Sequence, residues 1–217
     1  MKAYTISGLG ADERVFQKLD IGYETIHLSW IKPKNRETLG AYAKRLAERI
    51  DQSEPFVLIG VSFGGMIATE ICNFLKPQKV FLISSAQTRR DLNTIFRLVG
   101  RTGLFPLLPT SFFNPKPEHV AKIFRILPKN KPLLFEILKD SDRSFAQWAV
   151  HQIANWKNTT LRPEIVMIHG TDDLVISCPK RPDVLTLENT GHAMIIDRAS
   201  DINLLIKNVL NTQEHIL

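Results

Sequence analysis

Six short apolar segments recur along the chain and are separated by stretches with helical periodicity. The apolar segments lie at residues 4–7, 25–30, 56–61, 79–84, 164–169 and 183–187, and each predicts a β-strand. Helices are predicted at residues 12–19, with Asp12 as the cap, and at 38–50, 64–75 and 200–210. Residues 56–61 are continuously apolar, which is typical of a central strand in a parallel sheet. This alternation predicts an α/β fold with a parallel sheet and right-handed crossovers.

Residues 87–160 interrupt the alternation. They contain six of the twelve prolines, seven of the twelve phenylalanines and no convincing strand. Residues 133–139 and 145–156 have helical patterns. A long helical insertion between two strands of an α/β sheet typically covers the carboxyl edge, where such folds bind ligands. We therefore expect a core formed by residues 1–86 and 161–217 and a helical cap formed by residues 87–160.

Length and composition are those of an ordinary globular domain. The 217 residues are 44% hydrophobic and 23% charged, which excludes disordered, collagen-like and fibrous classes. No apolar run approaches the roughly 18–20 residues that span a bilayer. The N-terminus lacks an apolar signal segment, so a cytoplasmic protein without a membrane span is expected. Cys72 and Cys178 lack the number and spacing of a disulfide framework or a metal site, and we interpret them as small hydrophobic residues.

The net charge of +6 comes from the central segment. Residues 87–160 hold 12 Lys/Arg against 5 Asp/Glu, whereas the rest of the chain holds 16 against 17. This excess either forms a solvated basic face or contacts an anionic substrate. Nucleic-acid binding is not expected, because no recognised motif is present and the aromatic residues are not interleaved with basic ones. The basic residues that could meet an anionic substrate include Arg89, Arg90, Arg97, Arg101, Lys122 and Arg125.

A Gly-x-Ser-x-Gly pattern stands where a predicted strand meets a predicted helix. It consists of Gly60, Ser62 and Gly64, followed by a further glycine at position 65. This is the pattern of a nucleophile elbow, in which a strained turn raises the serine hydroxyl above the sheet edge at a helix N-terminus. Ser62 is therefore the candidate nucleophile.

A serine nucleophile needs a base and an acid that orients the base. The required chain order is Ser, then Asp or Glu, then His. Asp172 and Asp173 follow the fifth predicted strand, and His192 follows the sixth, so both sets lie at the same sheet edge as Ser62. His169 is interpreted as structural, because a base there would leave His192 without a role. A metal site built from the same aspartates and histidines is an alternative, although no pair has helical metal-ligand spacing.

Acyl chemistry also needs backbone N–H groups that receive the oxyanion. One donor is expected from Phe63, directly after the nucleophile. The second is expected from the loop after the first strand, where Gly8 and Gly10 let the backbone approach the substrate and Leu9 is the best donor candidate.

Together these residues resemble the α/β-hydrolase superfamily, as a small, serine esterase-like member with a helical cap. The resemblance spans nearly the whole chain and rests on Gly8-Leu9-Gly10, Gly60-Val61-Ser62-Phe63-Gly64-Gly65, His169-Gly170-Thr171-Asp172-Asp173 and Gly191-His192. It implies that Asp173 is the acidic residue and that Asp172 shapes the turn. It also implies a reduced, mostly parallel six-stranded sheet without the first two strands of the family, no cofactor, and water as the second substrate. The first loop departs from the family pattern, since Ser7 precedes Gly8 where His is frequent.

The resulting hypothesis is a serine hydrolase that cleaves a carboxylic ester or thioester through an acyl-enzyme. Its catalytic residues would be Ser62, Asp173 and His192, with the N–H groups of Leu9 and Phe63 as the oxyanion hole. Carbon–carbon bond hydrolysis, lactone opening and peracid formation use similar residues and stay open. A binding protein that keeps the fold without the chemistry is the alternative from another class. The sequence does not indicate an oligomeric state.

Overall fold

The computed structural model describes residues 1–94 and 115–214, and its centre is a sheet of six parallel strands. The strand order is β2-β1-β3-β4-β5-β6, and every neighbouring pair is parallel. The prediction of an α/β fold with a reduced six-stranded sheet is confirmed. The strands are β1 (Lys2–Ile6), β2 (Glu24–His27), β3 (Phe56–Val61), β4 (Lys79–Ile83), β5 (Ile165–Gly170) and β6 (Val184–Leu187).

Seven α-helices are described, and three of them lie between β4 and β5. No helix of the described residues is long and apolar enough to cross a membrane. The helices are α1 (Leu39–Ala47), α2 (Phe63–Ile71), α3 (Pro117–Phe124), α4 (Lys131–Lys139), α5 (Arg143–Asn155), α6 (Met194–Asp197) and α7 (Ala199–Glu214).

The first predicted helix is wrong in type and length. A single 3-10 turn, Glu13–Phe16, replaces the helix expected over residues 12–19. Asp12 does cap this turn by accepting a hydrogen bond from the Arg14 N–H, as the sequence indicated. Val15, Phe16 and Leu19 pack against the core as the apolar spacing indicated. So short a segment gains little from extending into a regular helix.

The alternation of side chains along β3 divides the core into two clusters. Phe56 and Leu58 belong to one cluster, and Val57 and Ile59 belong to the other, as the period of two in a strand requires. The first cluster includes buried residues of α1, α2 and α5, and the second includes buried residues of α3, α4, α6 and α7. The helices of the 115–156 stretch therefore share both clusters with the sheet, and the division into core and cap stays a prediction.

The turn after β3 depends on close backbone packing through glycine. A Cβ atom on Gly60 would lie 2.5 Å from the Cα of Gly65, and one on Gly64 would overlap the carbonyl oxygens of Ile6 and Ser7 at the end of β1. Ser62, between these glycines, has a φ of 52° and a ψ of −120°, an uncommon backbone conformation for a residue with a side chain. The glycines thus let α2 start directly above the sheet edge.

Replacing Gly60 by Ala should destabilise the fold, because the added methyl meets backbone atoms that cannot move aside. We expect a loss of about 2–3 kcal/mol in the free energy of unfolding, measured by urea denaturation. Gly40→Ala is the matched control. A Cβ there lies 3.3 Å from the flexible carboxylate of Glu70, and alanine favours the helix. Equal stability of the Gly60→Ala variant and the wild type would contradict the packing argument.

Candidate active site

Ser62 projects from the turn between β3 and α2, and hydrogen bonds on both sides hold its backbone. Its N–H donates to the carbonyl of Ile83 at 2.9 Å, at the end of the neighbouring strand β4. Its carbonyl accepts a hydrogen bond from the hydroxyl of Ser85 at 2.6 Å. The residues at the end of β4 therefore hold the backbone of Ser62 in its uncommon conformation, and this conformation directs the side chain.

The structure brings Ser62, His192 and Asp173 together in one hydrogen-bonded chain. The Nε2 atom of His192 lies 3.0 Å from the hydroxyl of Ser62, and its Nδ1 atom lies 2.8 Å from Oδ2 of Asp173. A carboxylate can only accept, so Nδ1 carries the hydrogen and Nε2 is free to accept the hydroxyl hydrogen. His192 is 4% exposed, which keeps water from competing for these bonds. Chemically, the arrangement suits proton abstraction from Ser62.

Asp173 is held by hydrogen bonds to both of its oxygens. Oδ1 accepts from the N–H groups of Val175 and Ile176 at 2.8 and 3.0 Å. Burial by itself raises the pKa of Asp173, but hydrogen bonds from His169 and His192 outweigh it and hold the pKa well below the ordinary value. Asp173 is therefore ionised in the folded protein near neutral pH.

Asp172, which follows β5, and His169, which lies within it, take different positions. Asp172 forms an ion pair with Arg125, with 3.1 Å between the charged groups, and its N–H donates to Thr190. This agrees with the implied role in shaping the turn. His169 is fully buried, and its Nε2 lies 2.7 Å from the carbonyl of Ile176 and 3.3 Å from Oδ2 of Asp173. Sequence reasoning treated His169 as structural and missed its contact with Asp173.

The backbone donors expected at Leu9 and Phe63 belong to two segments next to Ser62. A Cβ on Gly8 would lie 3.3 Å from the Cβ of Ser62, so the loop after β1 runs directly beside the serine. Phe63 is the first residue of α2, where N–H groups have no partner within the helix. None of the described hydrogen bonds uses the N–H of either Leu9 or Phe63.

A small apolar cavity of about 50 Å³ adjoins Ser62 and His192. Helix α4 contributes Leu134, Ile137 and Leu138 to its wall, and α3 contributes Phe124. The Phe124 ring packs edge-on against the His192 ring, with 4.8 Å between their centroids. Phe124 is among the phenylalanines that the sequence offered for an acyl pocket. The three α4 side chains were not identified, because helical periodicity shows which face is apolar and not what that face covers.

The alternative of a metal centre finds no support in the side-chain positions. Within residues 1–94 and 115–212, no group of three or more His, Cys, Asp or Glu side chains is arranged to hold a metal ion. Cys72 and Cys178 are free thiols, buried and half-buried respectively, and burial raises the pKa of Cys72 to about 12.

Comparison with known proteins agrees with this geometry. The profile of the Alpha/beta hydrolase family matches residues 6–203, which is most of the chain. The chain belongs to this family. Among curated proteins, no sequence matches the chain.

Three solved structures illustrate how similar the fold of this chain is to the folds of other proteins. A thermophilic esterase from Thermogutta terrifontis has a TM-score of 0.74 and 16% identity, over 98% of this chain and 90% of that one. A lipase-esterase related protein from Clostridium acetobutylicum has a TM-score of 0.70 and 18% identity, over 95% and 93%. A meta-cleavage product hydrolase from Pseudomonas fluorescens has a TM-score of 0.67 and 17% identity, over 98% and 91%. These identities show a shared fold and not a shared substrate.

The low pKa of Asp173 makes the stability of the fold depend on pH. A carboxyl group whose pKa is lower in the folded state stabilises the protein above its unfolded pKa, near 3.8, and this contribution is lost as the pH falls through the folded value. We expect Asp173→Asn to unfold about 2 kcal/mol more easily than the wild type at pH 7, and the difference to shrink below pH ~4. Urea denaturation at pH 7, 5 and 3 measures this, and a difference independent of pH would contradict it.

Proposed function

We propose that the protein is a serine hydrolase that cleaves a carboxylic ester or thioester through an acyl-enzyme. The observation that carries the proposal is the continuous hydrogen-bonded chain from Ser62 through His192 to Asp173. Family membership supports it, and the esterase among the similar structures makes ester cleavage the first chemistry to test.

In the first half of the reaction, Nε2 of His192 accepts the proton of the hydroxyl group while the Ser62 oxygen attacks the substrate carbonyl. The imidazolium that forms is stabilised by the ionised Asp173. His192 then donates this proton to the departing alcohol or thiol as the bond between the carbonyl carbon and the leaving group breaks. The acyl group stays on Ser62. In the second half, His192 takes a proton from water, and the water oxygen attacks the acyl carbonyl. His192 returns the proton to the Ser62 oxygen as the acid leaves.

The oxyanion would be received by the N–H groups of Leu9 and Phe63. Neither N–H group takes part in a described hydrogen bond. Phe63 directly follows Ser62, and Leu9 directly follows Gly8, which lies beside Ser62. Such fixed donors stabilise the negative charge that develops on the carbonyl oxygen, a contribution of about 3–4 kcal/mol per donor in well-studied hydrolases.

The cavity beside Ser62 favours a short, uncharged acyl group. A volume of about 50 Å³ has room for a chain of a few carbon atoms, and its described lining contains no Lys or Arg side chain. The leaving group would extend into a cleft of about 670 Å³ that shares Gly10, Ala11 and Ile137 with the cavity.

An anionic substrate, if it binds, would place its charge in the cleft rather than in the cavity. Lys32, Lys34 and Arg36 line the cleft, and three aspartates line it as well (Asp12, Asp140 and Asp142), so the cleft itself has no excess of positive charge. Of the basic residues considered from the sequence, Arg125 is paired with Asp172 and Arg89 donates to the carbonyl of Trp156, while Arg97 and Arg101 lie outside the described residues. The anionic character of the substrate and the cytoplasmic location stay predictions.

Ser62→Ala should abolish both hydrolysis and covalent labelling. We expect turnover of a panel of esters and thioesters to fall at least about 1,000-fold, because the nucleophile is lost, and labelling by a fluorophosphonate probe to disappear. Ser200→Ala, an exposed position at the start of α7, is the matched control and should keep wild-type rates.

Labelling that persists in the Ser62→Ala variant would refute the assigned nucleophile. Failure of the wild type to turn over any ester or thioester would instead favour the binding-protein alternative or one of the related chemistries on the same residues. A panel that also contains a lactone and a carbon–carbon cleavage substrate separates these two outcomes.

Leu138→Ala should enlarge the acyl cavity. We expect the ratio of kcat/KM for a hexanoyl ester over an acetyl ester to rise about tenfold, since burying additional methylene groups of the acyl chain stabilises its complex by about 0.8 kcal/mol each. Lys139→Ala, on the exposed side of the same helix, is the control and should leave the ratio unchanged. An unchanged ratio in Leu138→Ala would show that the acyl group binds elsewhere.

A further inference from the structure

His169 lies in β5 at the base of the site, and its side chain is fully buried. Neither the hydrophobic clusters nor the proposed reaction accounts for a histidine there. Its Nε2 atom lies near two acceptors, 2.7 Å from the carbonyl oxygen of Ile176 and 3.3 Å from Oδ2 of Asp173. This is the same carboxylate oxygen that accepts the hydrogen bond from His192.

The two acceptors determine which nitrogen of His169 carries the hydrogen. A carbonyl oxygen and an ionised carboxylate cannot donate, so the hydrogen must be on Nε2. In the neutral ring Nδ1 then lacks a hydrogen, and this buried atom has no hydrogen-bond partner among the described residues. An unpartnered buried acceptor destabilises the folded state, and an apolar residue of similar size would avoid that cost. The histidine is therefore better explained by what Nε2 holds than by packing.

His169 is tied to the turn that carries Asp173 by a hydrogen bond and by a close contact with the carboxylate. The N–H of Ile176 donates to Oδ1 of Asp173, the carbonyl of Ile176 accepts from His169, and His169 also faces Oδ2. With the bonds from Val175 and His192, Oδ1 of Asp173 accepts two hydrogen bonds and Oδ2 accepts one, while Nε2 of His169 lies 3.3 Å from Oδ2. Such a set of donors resists rotation of the carboxylate about its side-chain torsion.

We propose that His169 is a positioning residue that aligns Oδ2 of Asp173 with Nδ1 of His192. It acts through Asp173 and does not contact the substrate. Its effect on turnover rests on the proposed function, whereas its effect on the His192–Asp173 hydrogen bond does not. In metal sites, partners that orient a ligand strongly affect activity, and the same reasoning applies here because the base is only as well placed as the group that orients it.

Two substitutions separate positioning from packing. His169→Leu keeps the approximate size and removes the donor. His169→Gln places an amide N–H near the position of Nε2 and restores the donor. We expect kcat of His169→Leu for an activated ester to fall about 10- to 100-fold with KM within about twofold, and His169→Gln to recover most of the loss. Thermal unfolding of both variants shows whether each of them folds normally. If His169 had a purely structural role, the substitutions would change stability, and His169→Gln would not restore kcat.

A double-mutant comparison tests whether the effect passes through Asp173. In an Asp173→Asn background, His169→Leu should change kcat less than about twofold, because the aligned group is already altered. Additive losses in the two substitutions would overturn the proposal, as would failure of His169→Gln to recover kcat in a protein that folds normally.

Nuclear magnetic resonance of the histidine ring decides the inference independently of turnover. In the wild type, the hydrogen on Nδ1 of His192 should give a downfield signal that exchanges slowly with water. This signal should weaken or move upfield in His169→Leu and return in His169→Gln. An unchanged signal in His169→Leu would overturn the proposal. If the wild type shows neither Ser62-dependent labelling nor turnover, the proposed function fails, and the same comparison of signals still decides the role of His169.

Discussion

Parallel alignment of all six strands is the constraint on which the site depends. Because every strand runs in the same direction, the residues that follow β1, β3, β5 and β6 emerge at a single edge. Ser62 and His192 are 130 positions apart in the chain and still meet at 3.0 Å. Glycines at positions 60 and 64 let the serine turn pack against its neighbouring strands. The chemistry of the edge therefore follows from the direction of the strands and from a few places where backbones nearly touch.

Much of this arrangement could be predicted from local pattern. The continuous apolar run of β3, the glycines around Ser62 and the order of Ser62, Asp173 and His192 are all readable without coordinates. Each depends on short stretches of chain and on a general property of parallel sheets. The expected six-stranded sheet is confirmed, whereas the helix expected over residues 12–19 is a single 3-10 turn, since the apolar spacing of so short a segment does not fix the type of helix.

The contacts that sequence could not supply are those between distant segments. The ring of Phe124 against His192 and the Nε2 of His169 near Asp173 depend on side-chain positions set by tertiary packing. A histidine that ends a buried strand has the same sequence pattern whether it supports a carboxylate or only fills space. Only the tertiary structure shows that its Nδ1 lacks a hydrogen-bond partner within the part of the chain that is described.

The junction between α3 and the His192 loop joins the base of the reaction to the helical segment that follows β4. The N–H of Ala193 donates to the carbonyl of Phe124, and a side chain on Gly191 would collide with that carbonyl and with Arg125. Replacing the helices that follow β4 by those of a relative would therefore also replace part of the wall around the His192 imidazole. In evolutionary terms, substrate range and the surroundings of the base are expected to vary together in this protein, because one stretch of chain contributes to both.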